Sequence, residues 1–469
     1  MRIPAHSVLS NVYILTKILS ALPDFSSLYR AITLSKSFYH AFQAYPQSIT
    51  RPVAHQLFHS TLPSALRLVR CQLAQYPIAD EDAARFEPPA SPAYNEDDPA
   101  NDRNWNLSRE EIRALVDRRK VVQAIEDIFS SREKDRRYTT SQLTHIESTR
   151  FHRAMYRIWL FCVTYGCEAY NKGQAYAEEY DDDADLENLE HQKSFLEAFS
   201  TEELHEIITV AAFLQHMGAW AAGAGFLDDV ACPSDYLTSD EQASYALFHG
   251  PQAVLRAQRN DLIWLHMDLD ENLHTRIGDF LLPVITDVLD ARSREPEAYP
   301  PTRKIIIDNY IGGGDTCQLC QSERVPAKNL WNVINWNYLR GFHPPSTLQR
   351  RLKGHLNYNL AESDQFIQAC EKTPYTVIFT EILDLHNTND GAKRSKDDWL
   401  CKDCLMVFTC EYLHVWFLQW KRKEDLFVPE DNCRAGYDCV IQIHDIGRAR
   451  VYNSTGATRW EMMELGMVH

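Results

Sequence analysis

Two Cys-x-x-Cys pairs constrain this chain more than any other feature. Cys317-Gln-Leu-Cys320 and Cys401-Lys-Asp-Cys404 stand 84 positions apart. Two residues between thiols let both sulfurs turn onto one tetrahedral ion at ~2.3 Å, and two such pairs complete an all-cysteine set of four ligands. The interval is far longer than the ~15–20 residues of a compact zinc ribbon. Closure entropy rises only slowly with loop length, so the interval is compatible with one shared site. An ion there would clip two distant segments together. Four thiolate ligands leave no open coordination position, which points to structural Zn2+ rather than to hydrolysis. The four sulfurs are then expected to converge to within ~4 Å of one another. The other reading is two unrelated pairs of reduced Cys, buried as small hydrophobes.

A second, sparser set follows. Cys433-x5-Cys439-x4-His444 offers three ligands within 12 residues, and Cys410 or His414 could supply a fourth. No secretory signal is evident, because Asn11 and Lys17 interrupt the apolar residues between Met1 and Leu22. A reducing compartment, cytoplasmic and/or nuclear, is therefore expected. There, paired Cys bind metal more often than they form disulfides.

Charge and motifs exclude several classes of function. The chain carries 48 Lys+Arg against 65 Asp+Glu, a formal net charge of −17. Non-specific nucleic-acid binding, which depends on neutralising phosphates, is not expected from such a chain. The most apolar stretch, Val210 to Leu227, includes Gln215 and His216 and falls short of the ~20 apolar residues of a membrane span. It reads as a buried helix. No Gly-x-Ser-x-Gly elbow, His-Glu-x-x-His or Walker-type phosphate loop is present. Gly312-Gly-Gly-Asp315 lacks a phosphate-binding Lys and reads as a turn. The chemistry expected is non-catalytic.

The pattern elsewhere is that of a mainly α fold. Residues 1–75 form a helical block, in which Leu9, Val12, Leu15, Ile18, Leu19 and Leu22 recur at helical spacing. Residues 76–107, rich in Pro and acidic residues, read as a linker or loop. Residues 108–300 read as a large helical body, with capping boxes at Ser108-x-x-Glu111 and Ser200-x-x-Glu203. A helix from about Ser141 to Thr164 lies between them. The charge run from Glu178 to Asp185 reads as a solvated loop. Residues 301–469 form a Cys/His/Trp-rich region clipped by the metal. Helices are expected there around 328–340, 346–359, 361–371 and 405–424. Lys304-Ile-Ile-Ile and Tyr375-Thr-Val-Ile-Phe are strand signals that short buried helices would also satisfy. Trp331, Trp336, Trp399, Trp416 and Trp420 are expected mainly in the core.

The N-terminal block resembles an F-box. The residues that carry the resemblance are Ile18-Leu19-Ser-Ala-Leu22-Pro23-Asp24-Phe25-Ser-Ser-Leu28 and Leu34-Ser35-Lys36-Ser37-Phe38-Tyr39-His-Ala-Phe42. Ser7-Val-Leu-Ser-Asn11 stands where that family usually opens on Leu-Pro-x-Glu. The whole chain is similar to large fungal F-box-like proteins. Glu147-Ser-Thr-Arg150-Phe-His-Arg153-Ala-Met-Tyr156-Arg157, Trp399-Leu-Cys-Lys-Asp-Cys-Leu405 and Asn432-Cys-Arg-Ala-Gly-Tyr-Asp-Cys439 support this. The last segment, with Gln442 and His444, resembles a small Cys-Cys-His-His finger whose downstream His pair is missing.

The resemblance implies an adaptor of a cullin–RING ubiquitin ligase. The N-terminal helices would dock on a Skp-type linker subunit, and the body would hold a protein substrate. Leu15, Ile18, Leu22, Pro23, Leu28 and Phe38 would be the apolar anchors of a helix-in-groove contact. The alternative is a zinc-stabilised helical protein-interaction module with no ligase role.

Overall fold

The computed structural model describes residues 11–74, 107–134, 141–167, 182–224, 239–259, 280–293, 305–308, 316–322, 330–359, 362–389, 393–428, 433–445, 447 and 451–452. Among these the fold is mainly α, as the sequence pattern predicts, and the sheet content is a single two-stranded ladder. The chain divides into two units. The first comprises Met1–Phe129, Leu143–Gly218 and Ala231–Asn309; the second comprises Ser130–Gln142, Ala219–Val230 and Tyr310–His469.

The first unit opens with short helices whose starts are set by side-chain caps. Helix α1 spans Val12–Ser20, α2 Phe25–Leu34 and α3 Lys36–Ala44. The side chains of Asn11, Asp24 and Ser35 accept the orphan amides of Tyr13, Ser27 and Phe38. Leu15, Leu19, Phe25, Leu28 and Ile32 turn inward. Helix α4 (Pro46–Phe58) carries Pro52 in its interior. Pro costs ~3 kcal/mol there relative to Ala. Burial of Ile49, Val53, Ala54 and Phe58 offsets that cost. Helix α5 (Leu62–Ala74) has Pro63 in its first turn, where the missing N–H does no harm.

Helix α6 (Arg109–Phe129) starts at the predicted box: Ser108 N–H donates to Glu111, and Glu111 N–H to the Ser108 hydroxyl. Helix α7 (His145–Tyr165) is buried at every residue from Ala154 to Val163. A helix apolar on all sides must be packed on all sides. Its neighbours are α5, α6, α8 (Asp182–Glu197) and α11 (Pro251–Gln258). Gly166 caps α7, and only a residue without a side chain fits there, since a Cβ would lie 2.3 Å from the carbonyl oxygens of Cys162 and Phe248. Helices α9 (Thr201–Gly223, of which the part up to Gly218 belongs to this unit), α10 (Ser239–Phe248) and α12 (Leu282–Ser293) complete the set. The Arg153 guanidinium grips Glu206, and Arg157 pairs with Glu203 at 2.8 Å, joining α7 to α9. No helix among the described residues is long and apolar enough to cross a membrane.

The second unit contains strand β1 (Leu330–Trp331), α13 (Leu339–Phe342), α14 (Pro345–Gln349), α15 (Ser363–Lys372) and α16 (Tyr375–Asn389). Strand β2 (Leu400–Cys401) then runs straight into α17 (Lys402–Lys423). Trp336, Phe366, Tyr375, Phe379, Trp416 and Phe417 lie at the centre of its core. Trp331 and Trp420 are buried as well, and Trp399 packs on the core while half-buried. The Trp416 indole N–H finds Glu381 at 2.8 Å, so its polar tip is satisfied inside the unit.

Several elements differ from the sequence pattern. Of the two alternatives open for Tyr375–Phe379 the structure has the helix, in which Ile378, Phe379, Ile382 and Leu383 bury one face of α16. Ile305–Asp308 forms bends, not a strand. The expected helix over 328–340 is a strand, a short 3-10 turn and the four-residue α13. The helix expected over 346–359 is likewise only α14 and a separate turn at Leu356–Tyr358. The last four residues of the acidic run, 182–185, fall inside α8 and not in a loop. The 76–107 linker, apart from Leu107, and Gly312–Asp315 lie outside the described residues.

Candidate functional site

Two short backbone devices bring the four cysteines together. In the first segment, Cys317 N–H donates to the Ser322 carbonyl at 3.2 Å, and Gln321 N–H to the Cys317 carbonyl at 2.9 Å. Gln321 takes a left-handed φ of 57°, which closes this turn tightly. In the second segment, β2 pairs antiparallel with β1, Leu330 opposite Cys401 and Trp331 opposite Leu400. Cys401 is the N-cap of α17, and its side chain makes no cap hydrogen bond. Cys404 sits in the first turn of the same helix, whose positive end favours thiolate charge.

The two segments are laced directly. Gln318 N–H donates to the Trp399 carbonyl at 2.9 Å, and Trp399 N–H to Gln318 Oε1 at 2.6 Å. Cys401 N–H points at Cys317 Sγ, 3.2 Å away. The sulfurs of Cys317, Cys320, Cys401 and Cys404 all lie within 4.8 Å of one another. Cys320 and Cys401 sulfurs are 3.9 Å apart. A tetrahedron of sulfurs at ~2.3 Å from one ion has edges of ~3.8 Å, so a contraction of about 1 Å or less closes the widest edge. All four are free thiols. The site is rooted in the second unit's core, since Cys317, Cys404 and Leu400 belong to it.

The thiols do not ionise alike. The Ser322 hydroxyl and amide draw Cys320 well below the usual thiol range. Burial opposes ionisation of Cys317, but amides of Cys401, Cys320 and Leu319 outweigh it and lower this thiol too. Burial pushes Cys401 and Cys404 up, and at Cys404 the other three sulfurs add to the effect. Four sulfurs this close cannot all carry charge unless a cation replaces the shared protons. The arrangement can therefore hold a metal ion, and thiolate-only tetrahedra select zinc or iron.

The second set is not gathered in this way. Cys433 and Cys439 are buried and His444 is exposed. Among the described residues, no group of three or more candidate ligands within reach of one ion includes them. The segment is held by other means. Tyr437 is buried, its carbonyl accepts the His355 amide at 2.8 Å, and Gln442 bridges the Tyr437 carbonyl to Asn359. Gln318, Ser322 and the Asn332–Asn335 turn beside β1 are not marked by spacing or motif. Their contribution is local hydrogen bonding, which leaves no periodic trace.

The six N-terminal anchor residues fall into two groups. Leu15 and Leu28 are buried and serve the block's own core. Ile18 and Pro23 are exposed, and Leu22 and Phe38 are half-buried. Val12, Tyr13, Leu34 and Tyr39 on the same helices are exposed as well. Neither a protein-family model, nor a curated protein, nor a solved structure matches this chain.

Proposed function

We propose that the chain is a non-catalytic adaptor: its N-terminal helices dock on a Skp-type linker subunit of a cullin–RING ligase, and its body holds a protein substrate. One observation carries this reading. Helices α1–α3 fill their own core with Leu15, Leu19, Phe25 and Leu28 and still keep Ile18, Val12, Tyr13 and Leu34 in contact with solvent. Helices that already bury an apolar face within their own unit, yet expose further large apolar side chains, are suited to helix-in-groove docking. The ion of the four-cysteine site is zinc, and its role is structural. The thiolate-only donor set and its lack of an open position support that choice.

A pull-down of the full-length chain with the purified linker subunit tests the adaptor reading. Wild type should bind. Ile18→Asp should weaken binding at least about tenfold, the loss of one apolar anchor, while helix content and zinc content stay unchanged. A well-folded, zinc-containing wild type that does not bind would overturn the adaptor reading. It would leave the second reading, a zinc-stabilised interaction module with no ligase role, which the cysteine site supports by itself.

A further inference from the structure

The four-cysteine set is graded toward solvent. Cys317 is fully buried, Cys404 is buried, Cys401 is partly covered and Cys320 is exposed. A small oxidant arriving from water meets Cys320 first, and the sulfur of Cys401 lies 3.9 Å from it. These two residues belong to different segments. Four cysteines in two Cys-x-x-Cys pairs can form disulfides within each motif or across them. Bonds within the motifs would close tiny loops and let the two segments part. A bond across them closes a loop of 81 positions and keeps the segments joined. A cross-link over the longer loop removes more entropy from the unfolded chain.

We infer that Cys320 and Cys401 are the disulfide-forming pair of this site: hydrogen peroxide joins them as the ion leaves, so that a covalent clip replaces the metal clip at the same place. The inference rests on the metal reading of this site given above. In the first step the Cys320 thiolate sulfur attacks one peroxide oxygen. The O–O bond breaks, hydroxide departs and takes a proton from solvent, and Cys320 becomes a sulfenic acid. In the second step the Cys401 thiolate attacks the Cys320 sulfur. The S–S bond forms, the S–O bond breaks, and the departing hydroxide is again protonated to water. Two thiolates, one peroxide and two protons thus give one disulfide and two waters, with two electrons passing from sulfur to peroxide. Only Cys317 and Cys404 would then be left to hold an ion, too few to retain it.

The test uses the wild-type full-length protein, so no variant has to fold. Its zinc content is measured in the reduced state, before any oxidant is added. The protein is then treated with a small excess of hydrogen peroxide. Released zinc is followed with a chromogenic chelator, remaining thiols are alkylated, and disulfides are mapped by non-reducing peptide mass spectrometry. The expected result is release of about one zinc per chain, in step with a Cys320–Cys401-linked peptide pair as the first disulfide formed. Reductant and fresh zinc should restore the starting state. Disulfides that form first within the motifs, or zinc that stays bound while Cys320 oxidises, would overturn the exchange and leave the metal reading standing. A reduced, folded protein without metal would instead defeat the metal reading itself, and that outcome is read before peroxide is added.

Discussion

Lys421 brings a full charge into the second unit. Its Nζ lies 2.8 and 3.1 Å from the two carboxylate oxygens of Glu362, and both side chains are over nine-tenths buried. In sequence, Lys421-Arg-Lys423 is a basic run at a helix end, which helix electrostatics alone would explain. Lys423 and Arg422 fit that account, being exposed. Lys421 does not, because the helix rotates it toward Glu362, 59 positions away. Replacing one partner leaves an unpaired buried charge, which costs ~3–5 kcal/mol. Lys421→Met should lower stability by about that amount in denaturant titrations. The double variant Lys421→Met/Glu362→Leu should recover most of the loss; no recovery would mean that packing, not charge, dominates. The metal ligands set a second residue-scale expectation. Loss of a hydrogen bond that merely supports a ligand costs ~10–100-fold in metal affinity, so loss of a sulfur should exceed that. Cys401→Ser should abolish stoichiometric metal and lower the thermal midpoint of the second unit. Unchanged metal and midpoint would show that Cys401 is no ligand.

At the scale of elements, start signals and apolar periodicity are what a sequence makes readable. The boxes at Ser108 and Ser200 open α6 and α9 as their spacing predicts. Thr144-x-x-Glu147 is a third box, at the head of α7, a few residues past the start near Ser141 that the apolar pattern suggests. Glu147 accepts the amide of Thr144 at 2.7 Å and, with its other oxygen, that of Asp308 at 2.9 Å. Thr144→Ala removes only the cap hydroxyl and should cost ~1 kcal/mol. Glu147→Ala removes the acceptor of two part-buried amides and should cost more than loss of the cap hydroxyl, up to ~3 kcal/mol in all. Equal losses in chemical denaturation would contradict this ranking. Two kinds of element leave no such signal. Helix α4 carries no start signal of this kind and holds Pro52 in its interior, where its buried apolar face offsets the cost of the proline. Strands β1 and β2 are hidden because two residues cannot show a period of two. Their pairing is fixed by the register that brings Cys401 beside Leu330.

On the scale of the whole molecule, composition defines the class and the cysteines define one long-range contact. The helical architecture of the described residues, whose sheet is one two-stranded ladder, follows from 3.6-residue periodicity. The convergence of Cys317, Cys320, Cys401 and Cys404 is legible because metal coordination imposes spacing on sequence, whereas ordinary packing does not. The second Cys/His set shows the limit of that logic. Three candidate ligands within 12 residues do not by themselves impose a shared geometry, and among the described residues Tyr437 and Gln442 order this segment. The anchor residues of the N-terminal block read as one set from their periodicity, but a single apolar stripe can serve both core and surface. Leu15 and Ile18 are one helical turn apart and end on opposite sides of that division.

The four sulfurs of Cys317, Cys320, Cys401 and Cys404 lie close enough to share one ion, which we propose is zinc. Elemental analysis of the purified full-length protein, prepared under reducing conditions without added metal, tests it most directly. One zinc per chain is expected in wild type, and none in the double variant Cys317→Ser/Cys404→Ser. A folded wild type with substoichiometric zinc and no other thiolate-bound metal would contradict it.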